Sequence, residues 1–110
     1  MPYIAPQHRQ DLDPLIDELA DCIVGGAREY GYDGAFAGFL NYACTRLALE
    51  VAHRQFGPLR YWLIAMITGT FKNLADEFYR RVAAPYEDKQ IARSGDLDVY
   101  AEYLKEIEKM

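Results

Sequence analysis

The chain has 110 residues, 51% of them apolar and 26% charged, which fits a folded domain able to bury a core and does not fit a disordered one. A net charge of −5 argues against nonspecific binding to nucleic acid or to acidic membranes. The start of the chain has no apolar run of signal-peptide length, and Tyr61 to Phe71, the longest mostly apolar stretch, is about half of a membrane span. The reading is therefore a cytoplasmic protein with no membrane partner.

Pro2, Pro6 and the lack of helical period make residues 1–12 an expected extended arm. Asp13-Pro14 reads as a helix start, with Asp13 as N-cap and Pro14 in the first turn. Asp17, Glu18 and Asp21 follow, where the helix dipole favours acids. Leu15, Leu19 and Ile23 recur every four residues and predict one buried face, which Gly25-Gly26 and the turn Gly31-Tyr32-Asp33-Gly34 bring to an end.

A second helix is expected over about 34–55 with Asp33 as N-cap, and Phe36, Leu40, Ala43, Leu47 and Val51 as its apolar stripe. Tyr42, Arg46, Glu50 and His53 fall on the opposite side, and Glu50 stands four residues before Arg54, the favourable order for a helix ion pair. Asn41 and Thr45 lie at the edge of the stripe, where polar groups need partners on a neighbouring helix.

Gly57-Pro58 breaks the chain, and a long third helix is expected to run to Ala84, where Pro85 stops it. Leu59, Leu63, Ile67, Phe71, Leu74, Phe78 and Val82 form its stripe, with Glu77 and Arg81 at the stripe edge and Lys72, Asp76 and Arg80 on the outer face. The opening run Tyr61-Trp-Leu-Ile-Ala-Met-Ile67 is apolar nearly all round. A helix apolar on every side must be covered on every side, which points to a homo-oligomer. Pro85-Tyr86-Glu87-Asp88 starts a short fourth helix that Ser94-Gly95 ends, and Asp96 caps a last helix with Leu97, Tyr100, Leu104 and Ile107 on one side. The expected fold is thus all-α: one domain over 1–110, a small bundle of three main helices plus a short helix. A C-terminal amphipathic helix, 96–110, would pack on the bundle or on a neighbouring subunit.

Charge is unevenly spread. Residues 1–33 carry −5, residues 34–84 carry +3 and residues 85–110 carry −3. Mutual attraction of the segments explains this most simply, and an anion site on the basic middle is the sharper alternative. Cys22 and Cys44 both sit in apolar helical patterns and read as buried free thiols.

The stretches Gly38-Phe-Leu-Asn-Tyr-Ala-Cys-Thr-Arg-Leu47 and Glu77-Phe-Tyr-Arg-Arg-Val-Ala-Ala-Pro-Tyr-Glu-Asp-Lys-Gln-Ile-Ala-Arg-Ser-Gly-Asp96 resemble a family of short, uncharacterised helical proteins of bacteria, archaea and phages. Met1-Pro-Tyr-Ile4 and the segment around Leu12-Asp13-Pro14 are similar to it too, so that the likeness covers about two-thirds of the chain. Two places depart from the pattern: Tyr30 to Ala37 lengthens the first connection, and the tail after Tyr100 runs past where many relatives stop. The resemblance implies a helical bundle and no activity. It draws attention to Asn41, Tyr42, Thr45 and Arg46 on one helix and to Glu77, Arg80 and Arg81 on another. If those edges meet, they form either a structural polar cluster that fixes helix register or a ligand pocket.

Other chemistries find too few residues. His8, His53, Cys22 and Cys44 have no zinc-ligand spacing. Ser94 is the only serine, and Cys44 and His53 would stand about 13 Å apart along a helix axis, too far for a nucleophile and its base. No metal, cofactor or catalytic residue is therefore assigned. A magnesium-dependent nucleotide pyrophosphohydrolase would need dense Glu and Asp on two helices, of which Glu18 with Asp21 and Asp76 with Glu77 supply fragments. The leading reading is a non-enzymatic, homo-oligomeric interaction or structural protein. The alternative is binding of a small anionic ligand such as a nucleotide, with Arg46, Arg80 and Arg81 on phosphate and Tyr42, Tyr79 or Tyr86 stacked on a base.

Overall fold

A computed structural model describes residues 2–110. Every regular element among them is helical: α1 Pro6–Arg28, α2 Ala35–Phe56, α3 Tyr61–Phe78, a π-helical stretch Tyr79–Ala83, α4 Ala84–Ser94 and α5 Asp98–Glu108. The chain divides into two compact units, residues 1–71 and residues 72–110.

In the first unit, α1 starts at Pro6 and Pro14 lies inside it, a correction to the extended arm and to the Asp13 cap. Pro6 occupies the first turn, where its missing N–H has no partner to lose. Gln7 to Leu12 contains no glycine and no β-branched residue to oppose the helix. The chain before it is held by the Arg9 Nε–H, which donates to the Ile4 carbonyl at 2.8 Å. α2 begins and ends within a residue of the expected bounds, although Gly34 and not Asp33 stands at its N-cap, without a side-chain hydrogen bond. It ends at Gly57, whose N–H donates to the His53 carbonyl at 2.8 Å. Gly57 has φ 79° and ψ −141°, a conformation open almost only to glycine.

α1 and α2 pack on each other, and their close approach is at Gly26. A Cβ built there would lie 2.7 Å from the Phe39 ring. Phe39, half-buried, meets Tyr30 edge-on at 5.7 Å between ring centroids. The first turns of α3 contribute Leu63, which is buried, and Trp62, which stands edge-on to Phe56 at 4.9 Å. Ala35, Ala52 and Leu63 are the only buried hydrophobic residues among those described. The expected stripes are mostly open in the single chain: Leu15, Leu19, Phe36, Leu40, Leu47 and Val51 are all exposed. Cys22 and Cys44 are free thiols, as expected, but exposed and not buried.

In the second unit Pro85 does not stop the helix. The backbone passes through the π-helical stretch, in which the Ala84 N–H donates to the Tyr79 carbonyl five residues back, and then continues as α4. Pro85 has no N–H to give, and placing it in the first turn of α4 removes the need for one. The π stretch packs on α4, and the Tyr79 hydroxyl donates to Glu87 Oε2 at 2.8 Å. α4 ends at Gly95, with φ 82°. The last helix starts at Asp98, and the Asp96 carboxylate accepts from the neighbouring Leu97 N–H at 2.8 Å without capping the following turn. No helix among the described residues is long and apolar enough to cross a membrane.

Candidate functional site: a groove between the first two helices

A recess lies in the first unit. It is a groove of about 540 Å³ between α1 and α2. Leu19, Cys22 and Ile23 form one side, and Phe39, Ala43, Leu47 and Val51 the floor and the other. The rim on α2 is a row at four-residue spacing: Tyr42, Arg46, Glu50 and Arg54. These residues share a face because four residues make just over one helical turn.

Charges along this rim are not equally balanced. Arg54 Nε is 3.2 Å from Glu50 Oε2, the ion pair that sequence spacing predicts, and it is worth a few tenths of a kcal/mol, ~0.2–0.5. Arg46, one turn before Glu50, has no salt bridge among the described residues. The groove therefore offers an apolar lining with one guanidinium unpaired among the described residues, one turn from Tyr42.

Of the four α2 residues singled out by the motif, Tyr42 and Arg46 line the groove and Asn41 and Thr45 do not. The Thr45 hydroxyl donates to the backbone carbonyl of Asn41 at 2.7 Å and lies 3.4 Å from its side-chain oxygen. The partner expected on a neighbouring helix is thus found on the same helix, one turn back.

Glu77, Arg80 and Arg81 belong to the second unit. Arg80 grips Glu77 with two contacts, Nη2 to Oε1 at 2.7 Å and Nε to Oε2 at 3.3 Å. Regular helical spacing points to Arg81 as the partner of Glu77. Arg80, three residues on and within the π stretch, takes the carboxylate instead. Arg80 is consequently less available to a phosphate. Tyr79 is raised above its ordinary pKa by its hydrogen bond to Glu87 and then by that carboxylate's charge. The groove as a whole escapes a reading of the sequence: spacing sets Tyr42, Arg46, Glu50 and His53 opposite the stripe of Ala43, Leu47 and Val51, whereas the first three line the same groove as that stripe and His53 does not. The missing signal is Gly26, which sets how closely α1 approaches Phe39.

Among the described residues, no group of three or more His, Cys, Asp or Glu is placed to hold a metal ion. Helices throughout the described residues and an apolar, arginine-rimmed groove define a small all-helical protein. Residues 1–97 match the family described as a domain of unknown function, DUF6899, and the chain belongs to that family. The match ends one residue before α5. Comparison with curated proteins and with solved structures finds no match.

Proposed function

We propose that this protein is a non-enzymatic homo-oligomer, an interaction or structural protein whose helical bundle is completed by further copies of itself. The observation that carries this is the burial pattern: two alanines and one leucine are the whole described core, while Leu15, Leu47, Ile64, Met66 and Phe78 are each half exposed or more. A fully buried leucine or phenylalanine contributes about 1.5–3 kcal/mol, and exposed ones contribute little. The start of α3 makes the case locally. Leu63 is taken up within the chain, whereas Tyr61, Ile64 and Met66, which leave the helix in other directions, are 85%, 50% and 63% exposed. Apolar surface of this kind on small helical units is the signature of an interface. Size exclusion with mass measurement tests the reading: a mass of two or more 12.6 kDa chains is expected, and a monomer at micromolar concentration would refute it.

Arg46 favours a second reading, a small anionic ligand held between its guanidinium and the Tyr42 ring. A thermal-shift series with mono- and cyclic nucleotides tests it. Stabilisation that vanishes in Arg46→Ala supports this reading, and no shift with any anion removes it.

A further inference from the structure

We infer that the groove between α1 and α2 receives the C-terminal helix α5 of a second copy of this chain. The inference rests on the oligomeric reading above and names the contact that makes the oligomer. Three observations carry it. First, α5 has an apolar stripe that is largely exposed: Tyr100, Leu104 and Ile107 are 60%, 53% and 59% exposed. Their spacing, with half-buried Ala101 between them, is that of a helix laid into an apolar groove. Second, the helix is short enough for the groove. The groove follows α2 from Phe39 to Arg54, about 22 Å, and the eleven residues of α5 span about 16 Å. Third, the charges are complementary. Asp98–Glu108 carries four acids and one lysine, a net of −3, while the groove is lined by Arg46, Arg54 and Glu50, a net of +1. Glu106 borders the apolar stripe of α5, so a docked helix brings a carboxylate to the rim where Arg46 has no salt bridge among the described residues. Reciprocal exchange between two copies fills two grooves with two tails and closes the assembly. α5 lies just past the part of the chain that matches the family.

Cys22, in the groove wall, makes the test direct. The full chain carrying Cys44→Ser and Ala101→Cys is oxidised mildly with diamide and run on a non-reducing gel. A disulfide-linked dimer is expected, absent when Cys22 is also replaced by serine and reduced several-fold by Arg46→Glu, whose fold is checked by circular dichroism. A fast-migrating monomer with no free thiol means that the chain's own tail fills the groove, and it overturns the proposal. So does a chain that keeps both thiols, or a dimer that persists without Cys22. The mass of the unoxidised protein separates the two claims. An oligomer in which Cys22 and the introduced thiol fail to link sinks the docking alone, whereas a monomer sinks the oligomeric reading with it.

Discussion

Two adjacent glycines of α1 stand in different surroundings and lead to opposite expectations. A Cβ at Gly25 meets nothing within 4 Å, so Gly25→Ala removes backbone freedom from the unfolded chain without a clash. It should stabilise the protein by about 0.5–1 kcal/mol. At Gly26 the same methyl falls 2.7 Å from Phe39, and the ring must leave its seat against Tyr30. Overpacking of that kind costs about 1–3 kcal/mol, enough to outweigh the helical gain. Urea unfolding midpoints for the two variants should move in opposite directions. Tyr79 gives an expectation in pH. Its pKa in the folded chain lies above the ordinary 10.0, so the folded form holds the phenolic proton more tightly than the unfolded form does. The resulting stability is present below about pH 10 and lost as pH rises through the folded pKa. Tyr79→Phe should abolish this alkaline loss, which helical circular dichroism between pH 8 and 11 would follow.

Helices are the part of the molecule that the sequence displays most openly. α2 is legible almost to the residue because its apolar period is unbroken from Phe36 to Val51 and its end carries Gly57. Prolines are the source of the misreadings. Pro14 looks like a start because Asp13 precedes it, yet α1 runs through it; Pro85 looks like a stop, yet the π stretch carries the helix past it. Both errors arise from treating a missing N–H as decisive when one hydrogen bond is weighed against many. The candidate site is half legible for a related reason. Spacing places Tyr42 and Arg46 together on α2, but which neighbour their face meets depends on tertiary approach. Pro14 itself supplies a test. Within a continuous Pro6–Arg28 helix, its ring forfeits the bond to the carbonyl four residues back, at a cost of about 3 kcal/mol or more. Pro14→Ala should therefore raise the unfolding midpoint clearly. In a helix beginning at Asp13 the substitution would be nearly neutral, since proline suits that first position.

A described core of Ala35, Ala52 and Leu63 is small for 110 residues, and the proposed association would add burial to it. The helices are long, and isolated helices of such length are marginal in water without a packed face. If the open stripes of α1, α2 and α5 are covered only in the assembly, unfolding and dissociation are one event, and mass action enters the melting temperature. Each tenfold rise in chain concentration then adds about 1.4 kcal/mol per mole of dimer at constant affinity. For a dimer of this size that corresponds to a shift of roughly 3–5 °C, using the entropy of unfolding usual for about 200 residues. Melting curves taken from 1 to 100 times a low micromolar concentration should thus separate by several degrees while keeping one cooperative transition. A melting temperature independent of concentration would show that each chain is stable alone, and the exposed leucines would then need another explanation. Screening leaves this expectation largely untouched, because apolar burial is insensitive to moderate salt. The proposed contact of Arg46 with an acidic helix should weaken as ionic strength rises. Comparing the concentration dependence at low and high salt therefore tells how much of the assembly is held by its apolar stripes and how much by the charged rim.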